Sequence, residues 1–535
     1  MAESEVESLR ARLAELEARQ KLNDATDEAL ELAQRDRLPL NDAIESLLPL
    51  IVTHTGATRA WIRTFDENLE LREFTYGGRP GDFPLDTETI VEVTNRGERV
   101  QRRVAGKHVI AQPLDVAGEL FGAAALAFES DVPPKRLALS FALLNTWCEE
   151  LDNYLAAIAL MRRKHRITNQ LSEALRAPII DDGVQEAIAV LRAHVSFDDM
   201  LLVFRHHEDS RGASLHYVII QDGTTTHDSR HPDMEIDEFV REHASSLLKG
   251  ESRALFDRFG IDRGREEVLI SGVRNRHTVG RVVVTTARGE FNTFDRDLLE
   301  RFADFLRQRV VDFTREWKGL SLTFAPDITR RLLTYEDYRE RFLAPRVVDA
   351  AILFADISGF TRISEQVLQT PERVGELIDG WSERVVGLIW ETGGVFDKMV
   401  GDCVIAFWGP PFDDYDPVEC CRRASSAARL IRDYTNTLND GNLLPELKGI
   451  DPPVGVAIGV NYASVCVGIF GPDEEYTGFS SGMNNTARLQ GVATRDEILC
   501  MESFCRTYDM DEAFGELRQA EVKNVAQPLK FRALR

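Results

Sequence analysis

The chain repeats itself. PLNDAIESLLPLIVTHTGATRAWIRTF at 39–65 is matched in pattern by PIIDDGVQEAIAVLRAHVSFDDMLLVF at 178–204. Each sets apolar residues at helical spacing, then a turn, then a β-rich run. Farther on, VIAQPLDVAGELFGAAALAF at 109–128 parallels VLISGVRNRHTVGRVVVTT at 268–286. Both read as two strands around a polar turn, with a Gly just inside the second strand. A helical segment closes each copy, KRLALSFALLNTWCEEL in the first and FDRDLLERFADFLRQRV in the second. The repeat is too long for a solenoid unit. It calls for two α+β modules, each a sheet with helices on one side.

The 535 residues are enough for these two modules and a further domain. With 43% hydrophobic and 28% charged residues, the composition is that of a soluble globular chain. A net charge of −24 argues against a general nucleic-acid binder, which needs excess Lys and Arg. The start, MAESEVESLR, is acidic and polar, so no signal peptide is expected. Apolar runs such as FGAAALAF fall far short of a membrane span. Seven scattered cysteines, with no CxxC pair, suit reduced thiols in a cytoplasm.

The element order of the two modules resembles the GAF family of small-molecule sensor domains, over roughly 25–160 and 165–315. The resemblance implies an unidentified small-molecule ligand. The cyclic-nucleotide signature of that family is absent: the second copy has only FNTFDRD, with Thr285-Thr286 where Asn-Lys would fall. The one cysteine of this half, Cys148, sits on an exit helix, which argues against a bilin.

Helices are expected to link the parts. Val6, Leu9, Leu13 and Leu16 recur at the spacing of a brief coiled coil, a candidate dimer seam. LLNTWCEELDNYLAAIALMRRKHRITNQLSEALRA has no Gly or Pro, so one helix can run from the first module into the second. Leu299, Phe302, Leu306, Val310, Phe313, Trp317 and Leu320 continue an apolar stripe until Pro326 breaks the pattern.

The last part, about 345–535, alternates strands and helices. VVDAAILFADI is a strand, and VFDKMVGDCVIAFWG a hairpin turning at Gly401-Asp402. PVGVAIGVNYASVCVGIFG reads as two more strands, and NNTARLQGVA opens a helix. Asp356 ends the first strand and Asp402 lies in the hairpin turn. If those strands are neighbours, the two carboxylates meet at one edge of the sheet and repel, and a divalent cation removes the problem. Hard oxygen ligands favour Mg2+ or Mn2+. Ser358, Gly359, Phe360 and Thr361 follow at a helix start, where backbone N–H groups favour phosphate.

FADISGFT, DKMVGDCVIAF and YTGFSSGMNNTAR resemble the catalytic domain of class III nucleotidyl cyclases. The resemblance implies a ferredoxin-like, palm-type fold and two Mg2+ or Mn2+ ions per site. It also implies a homodimer whose active sites are shared across the subunit interface. Asp356 and Asp402 match the metal-binding aspartates, and the carbonyl of Ile357 the backbone metal contact. Lys398 and Thr477 match the base-reading positions of adenylate cyclases. Asn484 and Arg488 match the pair that orients the ribose and stabilises the transition state, and Lys523 the terminal phosphate-binding Lys. Lys398 can only donate and suits adenine N1, while Thr477 can accept from N6. The substrate expected is therefore ATP.

The sequence is expected to fold as α+β throughout. Residues 1–24 form a coiled-coil helix, 25–160 and 161–315 the sensor modules, 316–344 a helical linker and 345–535 the catalytic domain. The alternative is a dimeric GAF signalling scaffold with a degenerate cyclase domain that binds nucleotide but turns over little.

Overall fold

The computed structural model describes every residue except 1, 67, 69, 117–118, 130–131, 210–211, 250, 262–265, 272–277, 288–289, 473 and 523–526. The chain divides into two compact units, Met1–Ile167 and Thr168–Arg535.

The first unit begins with a helix, Ala2–Arg35, longer than the 24 residues expected. No Gly or Pro interrupts that stretch, and Leu22, Leu30 and Ala33 find a core to enter. Leu9, Leu13 and Leu16 remain exposed. Five strands follow: β1 (Arg59–Phe65), β2 (Leu71–Tyr76), β3 (Val100–Val104), β4 (Lys107–Val116) and β5 (Glu119–Phe128). Their order is β2-β1-β5-β4-β3, all antiparallel. Ile62, Ala124, Leu126 and Phe128 pack from the sheet against Ile44, Leu48, Leu144, Trp147 and Leu151 of the flanking helices. The helix Pro134–Ala174 is continuous over 41 residues.

In the second unit, β6 (Asp199–Asp209), β7 (Gly212–Gln221), β8 (Thr224–Asp228), β9 (Glu266–Ser271) and β10 (Thr278–Thr285) form a sheet in the order β8-β7-β6-β10-β9. Counting strands within each copy, both sheets contain the run 2-1-5-4. They differ in the third strand, which joins the fourth in the first copy and the second in the other. The duplication in sequence is thus a duplication of topology at the centre of each sheet.

A third sheet is built from β11 (Arg346–Ile357), β12 (Val395–Val400), β13 (Cys403–Trp408), β14 (Val456–Phe470), β15 (Glu475–Phe479), β16 (Ile498–Met501), β17 (Arg518–Ala520) and β18 (Leu529–Ala533). Its order is β12-β13-β11-β14-β16-β18-β17, with β15 folded back on the end of β14. One face packs Ala351, Leu353 and Ala355 against the helices Pro371–Glu391 and Pro417–Thr437. The other packs Ala350, Ile352 and Phe354 against Phe313, Trp317 and Leu320, the end of the helix Thr293–Leu320. The apolar stripe read from sequence is therefore buried along its length, and its last turns form part of the core under this sheet.

One expectation needs correction. The stretch read as two strands is a single strand, β14, paired with β11 from Arg346↔Val467 to Ile357↔Val456. Its polar middle suggested a turn, but Asn461 is buried and satisfied. Its side-chain amide donates to the Gly482 carbonyl at 3.1 Å, and its oxygen accepts from Ser503 Oγ at 2.7 Å.

All seven cysteines are free thiols. Among the described residues no helix is long and apolar enough to cross a membrane.

Candidate active site

The strand-end acid and the hairpin acid do meet. β11 pairs with β13 so that Asp356 lies opposite Cys403, which places Asp402 beside it. Gly401, at φ +65°, takes the left-handed turn conformation that brings Asp402 round. The two carboxyls are within hydrogen-bonding reach of each other. Burial first, then the Asp402 charge, pushes the Asp356 carboxyl up to about 7. Burial raises Asp402 too, against the pull of nearby backbone amides. Among the described residues no Arg or Lys pairs with either carboxylate.

Two half-buried carboxylates with no counter-charge are a donor set that suits a hard divalent cation. Among the described residues no cluster of three or more His, Cys, Asp or Glu is arranged to hold an ion. A cation here would complete its shell from backbone carbonyl, water and phosphate oxygens, as Mg2+ usually does.

The helix Ser481–Gln490 supplies two further predicted residues. Ser480 caps it, its hydroxyl accepting from the Met483 amide at 3.0 Å. Asn484 is exposed and Arg488 half-buried one turn later, so both share a helix face. Close packing on β14 fixes the helix. A Cβ at Gly459 would stand 2.7 Å from Gln490 N and 2.8 Å from Thr486 O. This approach brings Gln490 to Asp356, where its side-chain hydrogen bond favours the charged carboxylate. Gln490 was not singled out from sequence, because its reach depends on that backbone contact.

Lys398 and Thr477 lie on β12 and β15. The Lys398 ammonium sits 5.5 Å from the ring centre of Phe479, whose side chain is largely exposed. Thr477 is buried, and among the described residues its hydroxyl has no hydrogen-bond partner of ordinary geometry. Next to Lys398, Asp397 is buried and was likewise passed over in the sequence. A visible signal was two successive charged residues inside a buried hairpin, which break the strand alternation. The segment after the long helix docks beside them: the Phe396 amide donates to the Thr323 carbonyl at 3.0 Å, and Trp390 Nε1 reaches the same oxygen at 3.3 Å.

In the loop after Asp356, Ser358 donates its amide to the Gly455 carbonyl at 2.9 Å, and its hydroxyl is buried with no partner among the described residues. Gly359, at φ +73°, starts the short helix Phe360–Arg362, in which Thr361 also lies. Ile357, whose carbonyl was expected near the cation, ends β11 next to Asp356. Lys523 lies outside the described residues.

Residues 343–530 match the family model of the adenylate and guanylate cyclase catalytic domain. Over 118 residues the chain is 31% identical to the photoactivated adenylate cyclase subunit alpha-like protein ST- of Euglena gracilis, and 30% identical to the photoactivated adenylate cyclase subunit alpha of the same organism. These alignments take in 22% of this chain and 11% of each relative, so the chain spans about a tenth of their length. Among solved structures, the adenylyl cyclase CyaB from P. aeruginosa is 25% identical, with a TM-score of 0.32, over 36% of this chain and 96% of that one. The guanylate cyclase domain of RhGC from Catenaria anguillulae, in complex with GTP, is 16% identical, with a TM-score of 0.30, over 36% and 98%. The third sheet and its helices thus form a catalytic domain of the adenylate/guanylate cyclase type.

Proposed function

We propose that the chain is an adenylate cyclase, converting ATP to 3′,5′-cyclic AMP and pyrophosphate, and that it works as a homodimer with active sites built from both copies. The observation that carries this reading is the Asp356–Asp402 pair, half-buried together with no Arg or Lys paired to either among the described residues, inside a cyclase-type domain. Asp356, Asp402 and the Ile357 carbonyl would hold two Mg2+ or Mn2+ ions, which when bound supply charge neutralisation at the phosphates and acidify the ribose hydroxyl.

The chain's own groups do the rest. Gly359, Phe360 and Thr361 present a helix start to the polyphosphate. Ser358 serves this loop from behind, since its amide is already engaged with Gly455. Asn484 orients the ribose, and Arg488, one turn away, faces the α-phosphate. As the bond from the 3′-oxygen to the α-phosphorus forms, the bond to the bridging pyrophosphate oxygen breaks. Charge grows on the equatorial oxygens, where a fixed guanidinium stabilises the transition state more than the ground state. Lys398 donates to adenine N1 and Thr477 accepts from N6. Lys523 is assigned to the terminal phosphates on sequence alone.

The shared strand order of the first two sheets supports reading them as a pair of GAF-type sensor modules that bind a small molecule. The packing of Phe313, Trp317 and Leu320 under the catalytic sheet connects the helix that ends the second module to the catalytic domain.

The test is direct. Purified protein is incubated with ATP or GTP plus Mg2+ or Mn2+, and the products are separated. Cyclic AMP is expected as the main product. Cyclic GMP as the main product would overturn the base assignment, and no cyclic product under any condition would favour a nucleotide-binding scaffold.

A further inference from the structure

Asp397 sits at an irregularity of the β12–β13 ladder. Phe396 pairs with Ala406 and Lys398 with Ile405, so Asp397 is the extra residue of a bulge. Without it, Lys398 would pair one residue further along and its side chain would turn to the other face. The bulge therefore sets the direction of Lys398 and also drives a carboxylate into the protein. Asp397 is only 9% exposed, and among the described residues neither of its oxygens has a hydrogen-bond partner of ordinary geometry. The Thr477 hydroxyl beside it is also buried without one. Burying such groups unpaired costs about 1–3 kcal/mol each, so their juxtaposition calls for a reason.

Burial pushes the Asp397 carboxyl up to about 6, while the Thr477 hydroxyl, the Lys398 charge and the Gly478 amide pull it back down. The hydroxyl and amide are close enough to act on the carboxyl, although neither makes a hydrogen bond of ordinary geometry with it. Near neutral pH the group is therefore mostly a carboxylate, which can only accept. A threonine hydroxyl has one proton. Once that proton points at a carboxylate, the threonine oxygen can only accept as well.

We propose that Asp397 is a positioning residue for base selection: it takes the Thr477 proton in a hydrogen bond, leaving the Thr477 oxygen as an acceptor matched to the N6 amino group of adenine and mismatched to the O6 carbonyl of guanine. This rests on the adenylate cyclase reading and sharpens it. A threonine alone is ambiguous, because a free hydroxyl could turn and donate to guanine. The buried carboxylate removes that choice, and polar mismatches in a closed site discriminate strongly.

The experiment compares the wild type with Asp397→Asn, Thr477→Val and the double variant. The ratio of kcat/KM for ATP over GTP is read alongside the ratio of affinities for non-hydrolysable analogues of the two nucleotides. Asp397→Asn should lower both ratios by roughly tenfold or more, since an Asn amide can donate to Thr477 and free its proton. Thr477→Val should lower them similarly, and adding Asp397→Asn to Thr477→Val should change nothing further. Unchanged ratios in either single variant, or an undiminished effect of Asp397→Asn without the hydroxyl, would overturn the proposal. If Asp397→Asn fails to fold, Asp397→Ser takes its place, since it also removes the carboxylate, and an unchanged ratio there would overturn the proposal. A wild type that binds nucleotide but makes no cyclic product defeats the cyclase reading, and the affinity ratios still test Asp397.

Discussion

Asp356 stands opposite Cys403 in the β11–β13 ladder, and this register alone sets its carboxyl against that of Asp402 across the hairpin turn. Twelve residues of β11 are locked to β14 on the other side, so Asp356 cannot withdraw without breaking sheet pairing. The sheet thus holds Asp356 against the charge of Asp402.

That repulsion has a sign. A carboxyl raised from 3.8 to about 7 by folding binds a proton in the native state that the unfolded state has released. Its cost is therefore absent below about pH 4, grows as pH rises from there to about 7, and levels off above that. After allowance for solvent screening at a half-exposed group, about 1–2 kcal/mol is at stake. Asp356→Asn should raise the melting temperature of the cation-free protein at pH 7.5 by roughly 2–5 °C and by much less at pH 5. Mn2+ should stabilise the wild type at pH 7.5 and leave the variant almost unmoved. Differential scanning fluorimetry across pH and Mn2+ checks both.

Gly459→Ala should damage catalysis from a distance. The new Cβ would meet backbone atoms of Gln490 and Thr486, which cannot swing aside as a side chain could. The helix bearing Asn484 and Arg488 must shift, costing about 1–3 kcal/mol of stability. Steady-state kinetics should show kcat falling at least tenfold, as a displaced transition-state group implies. The circular dichroism spectrum should stay close to that of the wild type.

Thr435→Val should destabilise the catalytic domain without touching its site. Trp381 and Thr435 are both fully buried, and Trp381 Nε1 donates to Thr435 Oγ1 at 2.9 Å. Removing the acceptor leaves a buried N–H unpaired, at about 1–3 kcal/mol. Urea unfolding followed by tryptophan fluorescence should show an earlier transition, with KM for nucleotide unchanged.

Much of this was legible in the sequence because it rests on local pattern. The strand ending in Asp356, the Gly401-Asp402 turn and the helix carrying Asn484 and Arg488 each announce themselves by spacing or turn chemistry. The duplicated modules showed in the same way, as matched helix and strand patterns, while the strand run the two sheets share comes from their pairing. What was hidden depends on partners distant in sequence. β14 was split in two because Asn461 looks like a turn residue until Gly482 and Ser503 satisfy it. Gln490 joins the site only through the close approach at Gly459. Asp397 owes its position to a bulge, which alternation hints at and only pairing reveals.

The account stands on cations held by the acids of one copy acting on a nucleotide gripped by the other. Asp356→Ala and Arg488→Ala, each purified alone, should lose roughly 10²–10³ of the cyclase rate. Mixed in equal amounts and allowed to exchange subunits, they should regain about a quarter of the wild-type rate, since half the dimers would each carry one intact site. A mixture that stays inactive despite heterodimers confirmed by native mass spectrometry would contradict the shared site.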